Sequence, residues 1–444
     1  MDYLLPPLPE IVRQAEDAGN FRLARRLIKG LLRGPLAPGM AGRLRYEPER
    51  LGRIKKAHPY DRKAALKVLK DRLKGVKPGE LTAWINSGLI SPKVIDGREL
   101  FFSSFASNLL FLAPKLRKRL RKEDNSVIGA RDARNKRLDE LIRGAAPARY
   151  RVRARITLEL KKPPKGKVRC WLPFPRVADQ VSAARLLAAS HKKYRLAGPQ
   201  ASQRTIYFEE RASKFFAEFE YDISETILKP PPLRGRNYIP PSVTKYLKEE
   251  PPHIVFTPYV KALAGKIIGK EKDNYRKAQK IYDWLTLNLN YTFVMPYGII
   301  ENISEYCLSG LRGDCGVQAI AFITLCRAAG VPAKWQSGWN VSPGIASPHD
   351  WAMFYCGGWR FADISVGNAR RANEKRRRFY FGSLDAWRMP ANSEFGAALW
   401  PAKKHWRTDP TDNQMGEAET AFRNLYSDEF KYKIELIGFS GGRW

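Results

Sequence analysis

Gly313-Asp314-Cys315 opens the run Gly316-Val317-Gln318-Ala319-Ile320-Ala321-Phe322-Ile323-Thr324-Leu325-Cys326-Arg327-Ala328-Ala329, which Gly330 closes. The run is apolar on nearly every side, so a helix formed from it must be buried. Gly330 and Pro332 supply the stop that helix C-termini prefer. Cys315 is thereby placed at the head of a central helix. Free backbone N–H groups and the positive end of the dipole there are expected to lower the thiol pKa and to offer donors to an oxyanion. A cysteine ahead of an apolar helix is by itself ordinary core. The residues downstream of Gly330 change its meaning.

Residues 333–339 have the pattern of a strand, Pro343, Gly344 and Pro348 that of a loop, and His349-Asp350-Trp351 opens a second strand. Phe354 to Phe361 forms a hairpin around Gly357-Gly358, and Asp363 lies on the returning strand. Side chains alternate along a strand, so the turn length decides which residues share a face. A two-residue turn at Gly357-Gly358 would put His349 and Asp363 on opposite faces. A three-residue turn at Cys356-Gly357-Gly358 pairs 355 with 359 and makes them diagonal neighbours, and this longer turn is the expectation. A thiol, an imidazole and an orienting carboxylate are the parts of nucleophilic amide cleavage. The catalytic candidates are therefore Cys315, His349 and Asp363. Asp350 alternates to the face away from His349 and is expected to be structural. His58, His191, His253 and His405 have no comparable context.

Gly313 to Ala319, Cys326 to Lys334, His349-Asp350-Trp351 and Asp363 together resemble the transglutaminase-like superfamily in its bacterial form. The specific part of the resemblance covers 255–370, and strands in 150–225 resemble, more weakly, the β-domain that often precedes this core. The resemblance implies an α+β, papain-like fold with the cysteine on a central helix against an antiparallel sheet. It implies that Cys315 is the nucleophile, His349 the general base and Asp363 the orienting acid, passing an acyl group from a peptide or glutamine amide to water or an amine. Animal members use a tryptophan upstream of the cysteine for the oxyanion. No tryptophan lies between Leu285 and Cys315, which leaves Tyr291 or another donor for that role. The calcium-site context of animal members is not visible, so no metal and no cofactor are expected.

Outward from the core, 1–145 reads as a basic helical region, with apolar residues three and four apart in 10–32 and 61–73. From Tyr150 the period becomes two, and 146–228 is expected to be a small β-sandwich. Pro230, Pro231, Pro232, Pro240, Pro241, Pro251 and Pro252 mark 229–254 as a stiff connector. The core follows at 255–370, including a helix over 274–289, and 371–444 is an extension packed on it through aromatics such as Phe379, Tyr380 and Trp387.

At 444 residues the chain is long enough for two to four domains. Its 44% apolar and 11% aromatic content excludes wholesale disorder. The outlying number is the net charge of +35, from 79 basic and 44 acidic residues. Residues 1–150 hold 33 basic against 16 acidic residues, so the excess is densest there. Such a surface attracts polyanions, although a solvated face has the same composition. The expected partners are a protein or peptide substrate and a polyanion at the basic N-terminal region, the run Lys115–Lys122 included. A non-catalytic polyanion- or protein-binding module on the same scaffold is the alternative. In a third reading the terminal regions shape or occlude the groove of a working enzyme.

The longest charge-free stretch, 284–300, is 17 residues, broken by Asn288, Asn290 and Pro296, so no membrane span is expected. Met1-Asp2 and the early prolines do not resemble a leader. Five scattered cysteines without C-x-x-C spacing fit reduced thiols, and a cytoplasmic location is the expectation.

Overall fold

The computed structural model describes residues 4–122, 125–233 and 235–442 of the chain. Met1 and Asp2 lie outside the described residues. The architecture mixes helices and sheets.

In the N-terminal region the expected run 10–32 is two helices, Glu10–Asp17 and Phe21–Leu31. Gly19 breaks it: φ is 71°, and a Cβ there would run into the Val94 carbonyl. Asn20 then caps the second helix by accepting from the Leu23 N–H at 3.0 Å. A third helix, Met40–Ala57, is docked on the core by the Tyr46 hydroxyl, which donates to the Gly298 carbonyl at 2.6 Å, and by Arg50, which donates to that of Ile299 at 3.2 Å. Buried Glu16, Arg43, Glu47 and Arg50 extend this contact as an ion network reaching Glu301. From the helix Phe105–Leu112, Asn108 pairs both ways with the Phe293 backbone at 2.9 and 2.8 Å, and Phe111 packs edge-on to Tyr291 at 4.9 Å. The N-terminal helices therefore buttress the segment 290–301.

Two sheets follow. One orders the strands Phe430–Gly442, Arg149–Leu160, Lys214–Ser224 and Val181–Ala189; the other orders Asn424–Leu425, Glu417–Glu419, Val168–Pro173, Thr205–Glu210 and Arg195–Leu196. They enclose one apolar core that includes Val152, Ile156, Leu172, Phe208 and Phe219. Part of this sandwich's framework comes from the distant C-terminal tail.

The core sheet is antiparallel, in the order Phe381–Gly382, Trp359–Ala362, Ile345–Tyr355, Ala333–Ser342, Arg388–Asn392. The hairpin between its two long strands closes at Ser342↔Ile345, so Pro348 sits inside a strand rather than in the expected loop. Proline is tolerated there because the pairing with Trp359–Ala362 begins only at Ala352, leaving Pro348 with one neighbouring strand. The tail beyond 371 departs from the expected packed-on extension: it contributes two strands to the core sheet and three to the sandwich. Among the described residues no helix is long and apolar enough to cross a membrane.

Candidate active site

Cys315 is the first residue of the buried helix Cys315–Ala328. Asp314 is its N-cap: its Oδ1 accepts from the Val317 N–H at 3.2 Å and from the Tyr297 hydroxyl at 2.5 Å. The cap's own position is set by a short parallel pairing of Gly313 with Tyr291. Gly316 must be small, because a Cβ would overlap the Tyr297 hydroxyl and lie 2.8 Å from Asp350 Oδ2. At the far end Gly330 adopts φ 79°, and the Val331 N–H returns to the Cys326 carbonyl at 2.8 Å, the expected glycine stop.

The thiol donates to Asp350 Oδ2 at 3.1 Å. Among the described residues no hydrogen bond joins it to His349. Asp350 Oδ1 accepts from Gln414, whose amide also reaches Asp412 Oδ2 at 2.7 Å. Buried carboxyls thus crowd the head of the helix, and burial among like charges raises the pKa of such a group. Burial, then Asp412 and Asp314, push Asp350 well above the usual carboxylate range. Asp412 is pushed up to about 7 by burial and Asp409, and burial takes Asp314 to about 6 against the pull of the Tyr297 hydroxyl. Burial, Asp350 and Asp314 together push the Cys315 thiol up. This corrects the expectation of a lowered thiol pKa: desolvation and neighbouring carboxylates outweigh the helix N-terminus in this arrangement. Tyr291 lies close enough for the thiol to raise its own pKa, after burial.

His349 and Asp363 meet on the other face of the strand. The turn pairs Tyr355 with Trp359, which is the three-residue register, and the His349 Nε2–Asp363 Oδ2 distance is 2.9 Å. Trp351, two residues on, stacks on the imidazole at 5.9 Å. Asp363 Oδ1 accepts from the Val366 N–H at 3.2 Å, and Oδ2 also accepts from Arg388 Nε at 2.8 Å. Although burial opposes it, His349 and Arg388 hold the Asp363 carboxyl below the usual range.

The structure therefore brings His349 and Asp363 together and puts Asp350, which was expected to be structural, against the thiol. Arg388 and Gln414 were missed as well, since each comes from the tail and neither has a local sequence signal. The other histidines sit apart from this arrangement: His58 Nδ1 lies 2.8 Å from the Ile54 carbonyl and His191 Nδ1 lies 2.8 Å from Ser190 Oγ, while His253 is wholly buried against Phe395. Of the five cysteines Cys315 alone is partly exposed; Cys170, Cys307, Cys326 and Cys356 are buried.

Residues 261–364 match the sequence profile of the transglutaminase-like superfamily. An uncharacterized protein of Haemophilus influenzae is 28% identical over 193 residues, 40% of this chain and 51% of that protein, so the chain spans about half the length of that relative. Among solved structures, a proposed cysteine protease from Cytophaga hutchinsonii aligns over 67% of this chain and 90% of its own, with 13% identity and a TM-score of 0.40. The periplasmic domain of TgpA from Pseudomonas aeruginosa aligns over 55% of this chain and 94% of its own, with 13% identity and a TM-score of 0.28. The matched segment, which contains Cys315, His349 and Asp363, is similar in sequence to the transglutaminase-like superfamily.

Proposed function

We propose that the protein is a thiol-dependent acyl-transfer enzyme acting on a peptide or glutamine amide, with Cys315 as nucleophile, His349 as base and Asp363 as the group that orients the imidazole. One observation carries this reading: within the segment 261–364 that matches the family, Cys315 is the partly exposed first residue of the buried helix and His349 is held through Nε2 by Asp363 at 2.9 Å. With Nε2–H donating to the carboxylate, Nδ1 is the free acceptor. On this reading the Asp350 contact is a resting arrangement, and the reaction requires a shift of the helix head relative to the histidine strand, because Asp350 and His349 take opposite faces of that strand. The thiol proton passes to His349 Nδ1, sulfur attacks the carbonyl carbon, and the C–N bond breaks as the proton is delivered to the departing amine. The thioester then passes its acyl group to water, giving hydrolysis, or to a second amine, giving a new amide. Backbone N–H groups at the helix head are the nearest donors to the oxyanion.

Incubation with labelled casein and a fluorescent amine separates the two outcomes, fragments reporting hydrolysis and amine incorporation reporting transfer. Cys315→Ser, His349→Ala and Asp363→Asn should abolish both. Full turnover by His349→Ala, with loss in Asp350→Asn, overturns the assignment of the base.

A binding role is favoured by one separate feature. Lys115 and Lys118, on the short helical turn Pro114–Arg119, are exposed within the most basic third of the chain. A salt-dependent shift of duplex DNA by the Cys315→Ser protein would establish polyanion binding independently of catalysis.

A further inference from the structure

Arg388 enters the site from the strand Arg388–Asn392, beyond the end of the family match at 364. Its side chain is wholly buried, and its Nε and Nη1 are both paired. Nε donates to Asp363 Oδ2 at 2.8 Å, the same oxygen that His349 Nε2 meets at 2.9 Å. Nη1 donates to Asp385 Oδ1 at 2.9 Å. Asp385 is fixed in turn by the Tyr380 hydroxyl at 2.7 Å and the Trp387 N–H at 3.0 Å. The Arg388 carbonyl accepts from Gln180 of the sandwich at 3.0 Å, so the strand cannot slide freely.

We propose that Arg388 is a positioning residue of the acyl-transfer site, fixing the Asp363 carboxylate and taking up part of its charge so that His349 is held in its working orientation. This rests on the function proposed above. A carboxylate facing an imidazole alone favours the charged ring strongly; the same oxygen shared with a guanidinium favours it less, because a second cation competes for one negative charge. The base must be neutral to accept the thiol proton, so the balance matters to turnover and not only to folding. The charged groups around the pair are Asp363 from the end of the strand Trp359–Ala362, Arg388 and Asp385 from the tail, Tyr380 beside both, Arg134 from the helix Asn125–Ile142, and Asp350 on the opposite face of the histidine strand. Among these only Arg388 bonds the oxygen that the imidazole uses. The tail is thus a working part of the site.

The test is the pH dependence of Cys315 alkylation by iodoacetamide and of casein turnover, measured on the full chain. Arg388→Met should move the acid limb of both profiles to higher pH by about half a unit or more. It should also lower kcat about tenfold, with KM little changed. Arg388→Lys should fall between, because it keeps the charge and loses the Nε geometry. Asp385→Asn leaves the Asp363 contact in place but removes its anchor, and should give a smaller shift of the same sign, so it serves if Arg388→Met does not fold. Folded variants with unmoved acid limbs overturn the proposal. Full turnover by Cys315→Ser or His349→Ala overturns the function itself, a different result.

Discussion

Cys315 is held between opposing influences. The helix head favours a thiolate, whereas burial and Asp350 favour the thiol, and the second influence prevails. Removing the carboxylate while keeping the shape should therefore release the sulfur. Asp350→Asn is expected to raise the rate of Cys315 alkylation at pH 7 by about tenfold, since each pKa unit is worth a factor of ten in thiolate. Mass spectrometry of the labelled protein checks it, with the four buried cysteines as internal controls. At this scale the sequence was legible wherever the deciding neighbours were local. The pairing of His349 with Asp363 followed from counting residues through one turn. The thiol's partner did not, because strand alternation says which face Asp350 takes but not which face the helix head approaches.

At the scale of elements, the central helix was readable from its apolar run and its glycine stop, and the structure adds the Asp314 cap. Gly330 holds φ 79° in open space, so its role is conformational rather than steric. Gly330→Ala should cost about 1 kcal/mol of stability, the usual penalty of left-handed backbone with a Cβ. Chemical denaturation should show the midpoint falling with the m-value unchanged. The helix 10–32 was misread as continuous because Gly19 is a weak breaker on paper. It turns the chain there because Val94, 75 residues away, leaves no room for a side chain. The strand Val181–Ala189 was missed for the converse reason: its mostly small residues carry little alternation, and pairing with Lys214–Ser224 makes it a strand.

At the scale of the whole molecule, the acid cluster sets a dependence of stability on pH. Asp314 and Asp412 titrate at about 6 and about 7 when folded, above an ordinary aspartate near 3.9 when unfolded. The folded state therefore binds more protons in that window, and stability should fall as pH rises from about 4 to about 7. Asp412→Asn should flatten the decline, which thermal melts across the range will show; an unchanged slope would place the titrating groups elsewhere. How the tail beyond 371 joins the two sheet systems was not legible. The tail's aromatic and basic composition fits a packed extension, but its short strand Glu417–Glu419 pairs with Val168–Pro173, more than two hundred residues back.

The sequence by itself determined the central helix with Cys315 at its head and the hairpin that joins His349 to Asp363, because both follow from periods and turn lengths within a few dozen residues. Only the tertiary structure decided that Asp350 meets the thiol, that the thiol is pushed up rather than down, and that Arg388 shares the carboxylate with the imidazole. Those outcomes depend on which distant groups are desolvated together, and burial is a property of the packed chain that no local pattern of residues specifies.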